Sequence, residues 1–137
     1  MYRTAVMLAV ALLLAIGVVG CAKKIALNIS SAVPATQAEV KTSKDNNDNP
    51  VVELKVQHLA PAQNLQPAKS AYVVWVELPG KSATNAGRLK LNDDLEGEIR
   101  IMTPYPRFRL VVTAEDDPLA GSPSSQRVIE TEQIEID

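Results

Sequence analysis

Two acidic clusters hold the side chains with the greatest capacity for chemistry, one at 93–96 and one at 115–117. Carboxylate oxygens bind hard cations, and paired carboxylates can hydrolyse glycosidic bonds when they face each other across a cleft. With one Trp, three Tyr and one Phe, the chain offers little material for such a cleft. We therefore favour turns over binding or catalytic sites as the interpretation of both clusters.

A third polar segment resembles part of a calcium loop. Asp45, Asn47 and Asn49 match its first three ligand positions, but Pro50 stands at the glycine position and Val56 replaces the bidentate glutamate. We predict a turn here and no metal site.

His58 is the only histidine and Cys21 the only cysteine. This excludes His-rich metal sites and catalytic arrangements that need a separate histidine base. We expect His58 to be a packed or capping residue, and we predict a protein that is not an enzyme and has no cofactor. Without a second cysteine, the fold must be stabilised by its core.

An apolar run covers residues 5–19, after a positive charge at Arg3. About 15 such residues are short for a membrane-spanning helix, which needs about 20, but suit the hydrophobic region of a secretory signal peptide. We expect this segment to be removed from an exported protein.

The run ends in Val18 and Val19, which with the following Gly20 and Cys21 resemble the lipobox of bacterial lipoproteins. The resemblance implies that Cys21 is diacylated and that the signal is cleaved in front of it. Each buried methylene contributes about 0.8 kcal/mol of membrane affinity, so such chains would anchor the protein to a membrane. Ala22 after the cysteine implies the outer membrane facing the periplasm, if the cell has one.

The composition is that of a small acidic protein, with a formal net charge of −2. The chain lacks the excess of basic residues that would indicate binding to nucleic acid. We predict three segments, a signal peptide at 1–20, a lipid-anchored tether at 21–36 and one β domain at 37–137. Ile25, Leu27 and Ile29 alternate with polar or small residues, which leaves a short first strand as the alternative to a tether.

Apolar residues alternate with polar ones in several short segments that are separated by turn signals. The pattern predicts an all-β fold, an antiparallel Ig-like β-sandwich of about seven strands, with a small barrel as the alternative. The predicted core consists of Val52, Leu54, Val56, Val73, Trp75, Leu89, Leu91, Ile99, Ile101, Phe108, Leu110 and Val112.

The predicted central strand covers 71–78 and is apolar on both faces. Val73 and Trp75 would point one way and Tyr72, Val74 and Val76 the other. Trp75 lies on the third predicted strand, where Ig-like sandwiches place a buried Trp. Turn residues at 45–50 and at 93–97 each predict a hairpin between the strands on either side.

Residues 70–130 carry a series of landmarks in a fixed order. They are Tyr72 and Trp75, Gly87 and Leu89, Thr113 and Glu115, and the Ser122-Pro123-Ser124 loop. Together they resemble the extracytoplasmic β domain of anti-sigma-K type factors. The sequence has no counterpart of that family's sigma-binding domain or transmembrane helix, so its signalling role is not carried over. The mature domain also resembles small uncharacterised bacterial lipoproteins.

These observations favour a non-catalytic envelope lipoprotein whose β domain is an interaction or structural module with an envelope protein partner. The second hypothesis is an envelope sensor that binds a ligand through loops such as 115–125. The third is a small envelope hydrolase that uses Asp93, Asp94, Asp116 or Asp117.

Overall fold

A computed structural model describes residues 24–137 of the chain. The predicted signal peptide at 1–20, with the lipobox-like residues 18–20, and Cys21 lie outside the described residues. The strands are β1 (Leu27–Ile29), β2 (Gln37–Lys44), β3 (Pro50–Gln57), β4 (Ala71–Glu77), β5 (Thr84–Leu89), β6 (Gly97–Met102), β7 (Arg107–Glu115), β8 (Arg127–Thr131) and β9 (Ile134–Glu135).

The strands form two antiparallel sheets, which confirms the predicted all-β fold. One sheet has six strands in the order β1-β8-β7-β4-β5, with β9 paired to β7, and the other has the order β2-β3-β6. A 3-10 turn at Ala62–Asn64 is the only helical element between residues 24 and 137. No helix in this part of the chain is long and apolar enough to cross a membrane.

The first predicted hairpin, β2 to β3, is present, and Asp45 organises its turn. The Asp45 carboxylate accepts backbone N–H groups from Asn49 at 2.9 Å and Asn47 at 2.8 Å. These bonds, with Asn49 contributing most, hold the pKa of Asp45 below its usual 3.8. Asp48 completes the turn with a φ of 61°.

The second predicted hairpin is wrong, because β5 and β6 belong to different sheets. The turn itself is present: the Asn92 side-chain oxygen accepts N–H groups from Asp94 at 3.0 Å and Glu96 at 2.9 Å. Only the Leu91–Gly97 bridge joins its two arms before they diverge. A Cβ at Gly97 would lie 2.7 Å from the Lys90 carbonyl oxygen, so the crossing needs a glycine.

The prediction of a tether over 21–36 is wrong from Leu27 onward. β1 pairs with β8 along its whole length, and the following turn buries Val33 and Thr36. A three-residue strand without an aromatic residue gives a weak sequence signal, whereas the edge of β8 supplies the backbone partners that stabilise it.

Most of the predicted core is buried between the two sheets. The residues of the set in this inter-sheet core are Val52, Leu54, Val56, Leu89, Ile101, Phe108, Leu110 and Val112. Leu91 and Ile99 are half-buried at its margin, beside the crossing between the sheets. Val73 and Trp75 are fully buried but form a separate cluster on the opposite face of the six-stranded sheet.

His58 is not a packed residue, because β3 ends at Gln57. A φ of 56° at His58 turns the chain, so that His58 is exposed and Leu59 becomes fully buried.

Strand pairing defines two ends of the sandwich. Leu27 pairs with Thr131, Val51 with Met102 and Glu77 with Arg109, which places these residues at the same end. This proximal end carries the start of the described chain at 24–26 and the loops 45–49, 78–83, 103–106 and 132–133. The opposite, distal end carries the loops 30–36, 58–70, 90–96 and 116–126.

Candidate interaction site

The outer face of the six-stranded sheet is covered by loops instead of a second sheet. Val73, Trp75 and Val111 are completely buried there, and Ala83 and Ala120 pack over them from the loops 78–83 and 116–126. The apolar area that Trp75 buries holds these loops against the sheet.

A chain of hydrogen bonds runs from this cluster to the loop 116–126. The Trp75 Nε1 donates to Thr113 Oγ1 at 2.8 Å, and the Thr113 hydroxyl donates to Glu115 Oε2. The same Glu115 oxygen accepts the Ser124 backbone N–H at 2.9 Å. Glu115 is only 6% exposed, so neutral donors replace the water that a carboxylate would otherwise bind.

Two irregularities of the sheet lie next to this chain. The β4–β5 register shifts between Val74 and Trp75, where Ala86 on β5 is the extra residue, and the β7–β8 register shifts between Val112 and Thr113, where Val128 on β8 is the extra residue. Bulges are frequent beside functional sites. Here each bulge lies on the strand next to one of the two residues that begin the hydrogen-bond chain.

Asn85 on β5 fixes the loop 116–126 from its other side. Its side-chain nitrogen donates to the carbonyl oxygens of Pro118 and Ala120, both at 3.0 Å. Its side-chain oxygen accepts the Gly87 N–H at 2.9 Å. The nitrogen of the Asn85 amide therefore binds the loop, and its oxygen binds the sheet.

The loop presents an apolar side chain at its exposed surface. Leu119 is 85% exposed, and its N–H donates to the Asp117 side chain at 2.9 Å in an Asx turn. Ser124 holds the end of the loop, because its hydroxyl donates to the Ala114 carbonyl at 2.9 Å and accepts the Gln126 N–H at 3.2 Å. The loop thus displays Leu119 from a fixed backbone.

The remainder of the outer face carries ion pairs. Glu77 lies 3.3 Å from Arg127 and 3.9 Å from Arg109, and Arg127 also lies 3.2 Å from Glu130. These side chains are partly exposed, so each pair contributes little to stability.

Part of the residue set that predicted a resemblance to anti-sigma-K type factors lies in this region. Trp75, Thr113, Glu115 and Ser124 form the hydrogen-bond chain described above. Gly87, with a φ of 130°, bonds to the Asn85 side chain that holds the loop. Tyr72 and Leu89 belong instead to the inter-sheet core, so only part of the set supports the loop 116–126.

Sequence reasoning missed Asn85 and the roles of Thr113 and Glu115. The sequence did contain a signal. Thr113 is a polar residue within the otherwise apolar segment 110–114, and the polar Glu115 follows that segment directly. Buried polar residues in a strand must find partners, which indicates a network. For Asn85 the sequence gives no such signal, since Asn is also common in exposed turns.

Apart from the buried Glu115, the residues of the two acidic clusters lie in turns and at the surface. Asp93 and Asp94 lie exposed in the distal turn, Asp116 lies 3.2 Å from Lys69 Nζ, and Asp117 caps the Asx turn. Among residues 24–137, no group of three or more His, Cys, Asp or Glu side chains is arranged to hold a metal ion.

No protein-family model matches the chain, and no curated protein matches it.

Proposed function

We propose that the protein is a non-catalytic envelope lipoprotein, anchored through acyl chains on Cys21, whose β domain is an interaction or structural module. The observation that carries the proposal is the apolar run 5–19, whose last two residues form the lipobox-like Val18-Val19-Gly20-Cys21 with the two residues that follow it. Ala22 supports the outer membrane facing the periplasm as its location.

The strand order supports an Ig-like topology for the module. Counted from β2, the first, second and fifth strands form one sheet, and the third, fourth, sixth and seventh form the other. This distribution corresponds to the A-B-E and C-C′-F-G strands of Ig-like sandwiches, with β1 and β9 as additions. Trp75 departs from the pattern, because it lies on the outer face instead of between the sheets.

Metabolic labelling tests the anchor. Cells that express the full chain are grown with labelled palmitate, and the label is expected in the wild-type protein but not in Cys21→Ala. The wild-type protein is expected in the detergent phase after extraction. An unlabelled wild-type protein in the aqueous phase would contradict the proposal.

A sensor that binds a partner through the loop 116–126 is the second candidate. It is favoured because some of the anti-sigma-type landmarks, Glu115 and Ser124 among them, support this loop, and because Leu119 is exposed. An apolar side chain on a fixed backbone loses little conformational entropy when it enters a partner's pocket.

Site-specific photo-crosslinking tests this candidate. A photoreactive residue at position 119 is expected to give an adduct of discrete mass in intact cells, and one at the exposed Glu98 is not. Asn85→Ala releases the hydrogen bonds to Pro118 and Ala120, so we expect it to weaken the adduct. Identical crosslinking from positions 119 and 98 would contradict a specific role of the loop.

A further inference from the structure

Two exposed apolar side chains lie at the proximal end, one at the end of β6 and one in the loop 103–106. Met102 is 65% exposed and Tyr105 is 47% exposed. With Leu119 at the distal end, they are the large hydrophobic residues that residues 24–137 leave exposed. Single exposed apolar residues are ordinary, so these two indicate a contact only because both lie at the end of the domain that carries the chain to Cys21.

The backbone that carries these side chains is fixed. Thr103 is buried between them, and its hydroxyl accepts the Tyr105 N–H at 3.2 Å. The Thr103 N–H donates to the Pro50 carbonyl at 3.1 Å, which ties the loop to the start of β3. Pro104 and Pro106 limit the backbone further.

The chain that leads to Cys21 leaves the domain at this same end. The Ala26 N–H donates to the Glu132 side chain at 2.9 Å, and the Ala26 carbonyl accepts the Glu132 N–H at 3.0 Å. The connection from Cys21 to Ala26 is therefore short. Five peptide units span at most about 18 Å, and the three units to Lys24 at most about 11 Å.

This reach is small compared with the domain. The polar headgroup layer of one leaflet is about 5–8 Å thick, so an acylated Cys21 at its inner boundary leaves only a short length of chain outside the lipid. Because β1 is an edge strand fixed to β8, it cannot detach to lengthen the connection between Cys21 and the domain. The proximal end must then lie against the membrane, and the predicted 16-residue tether would not have required this.

We infer that Met102 and Tyr105 form a membrane-contact surface that inserts into the phospholipid headgroup region beside the anchor. The inference rests on the proposed acylation of Cys21. Tyrosine suits this depth because its ring is apolar and its hydroxyl can remain hydrated, and the flexible Met side chain packs against irregular surfaces.

Apolar insertion, and not charge, provides the attraction. Lys24, Lys44 and Lys81 are exposed at the proximal end, but so are Asp48, Glu132 and Asp137, and Arg107 is paired with Glu135 at 3.2 Å. A mixed surface of this kind gives little net attraction to anionic lipid. The contact is accordingly insensitive to salt, and it directs Leu119 away from the membrane.

Tryptophan fluorescence of the full-length acylated protein tests the inference, because Trp75 is the only native Trp and is completely buried. Wild type, Tyr105→Trp, Met102→Trp and Leu119→Trp are reconstituted in vesicles of phosphatidylethanolamine and phosphatidylglycerol, with and without brominated acyl chains. After subtraction of the wild-type signal, Trp at 105 or 102 is expected to show a blue shift and a loss of intensity with brominated lipid. Trp at 119 is expected to show neither.

Equal solvent exposure of Trp at positions 102, 105 and 119 in vesicle-bound, acylated protein would overturn the contact surface and leave the anchor intact. Mass spectrometry of the same samples reports acylation of Cys21 separately. Unacylated protein that does not float with the vesicles would overturn the proposed anchor, and the contact surface with it. Added salt should leave the blue shift unchanged, and its loss at high salt would contradict apolar insertion.

Discussion

The two faces of β4 are both buried, but they are buried by different means. On the inner face, Tyr72, Val74 and Val76 contact the second sheet in the inter-sheet core. On the outer face, Val73 and Trp75 lie under loops. A sheet brings its backbone polar groups already paired, whereas a loop brings unpaired N–H and C=O groups that need side-chain partners. This explains why the outer face combines an indole with a hydroxyl and a carboxylate, while the inner face is almost entirely apolar.

Trp75→Ala is expected to have the largest effect, since it removes the side chain on which both covering loops pack. Truncation of a buried Trp costs about 3–5 kcal/mol of unfolding free energy. Urea denaturation measures the loss, and Phe108→Ala in the inter-sheet core is the matched control.

The two variants should lose similar stability but differ locally. Hydrogen exchange of the amides in 116–126 should accelerate in Trp75→Ala beyond the change that its global stability explains, and should follow global stability in Phe108→Ala. An unchanged unfolding midpoint for Trp75→Ala would refute its core role. Equal exchange in the loop for both variants would show that the outer cluster does not hold the loop.

The next comparison exchanges the polarity of two neighbouring residues on opposite faces of β7. Thr113→Val keeps the shape but removes the acceptor of the Trp75 Nε1 and the donor to Glu115, which should cost about 1–3 kcal/mol. Val112→Thr places a hydroxyl in the apolar inner core, which should also cost about 1–3 kcal/mol.

Both substitutions should therefore destabilise the protein, although one makes a residue more apolar and the other more polar. Chemical denaturation of each single variant and of the double variant measures this. A neutral or stabilising Thr113→Val would show that the outer face tolerates an apolar interior, and the distinction between the faces would fail.

The two side-chain-capped turns show how much of the fold the sequence could predict. The turns 45–49 and 92–96 share one hydrogen-bond pattern, with an Asx oxygen bound to two N–H groups and a positive φ at the fourth residue. Their local chemistry is legible in the residue types. Only the first joins paired strands, because the partner of a strand is decided by non-local packing that a turn does not encode.

The candidate site was predictable to a similar depth. Burial of Trp75 follows from the apolar strand around it, and the alternation of β4 correctly separates Val73 and Trp75 from Tyr72, Val74 and Val76. The sequence does not predict which face of β4 packs against the second sheet, since both faces are apolar. The support of the loop by Asn85 depends on residues more than 30 positions apart, which no local pattern joins.

The smallest effect is expected for removal of the Tyr72 hydroxyl on the inner face of β4. Tyr72 is buried in the inter-sheet core, and its hydroxyl donates to the Ala60 carbonyl at 2.6 Å. Tyr72→Phe keeps the ring and removes this bond, which should cost about 1 kcal/mol near neutral pH.

Burial raises the pKa of Tyr72 from 10.0 to about 12. Because the unfolded chain releases this proton at lower pH than the folded protein, the wild type should lose stability as pH rises from 10 towards 12. Tyr72→Phe lacks this loss, so the difference between the two unfolding midpoints should shrink above pH 10 and change sign as the pH approaches 12. A constant difference would show that the hydroxyl is solvated, and that the inner face is open to water at the edge of the core.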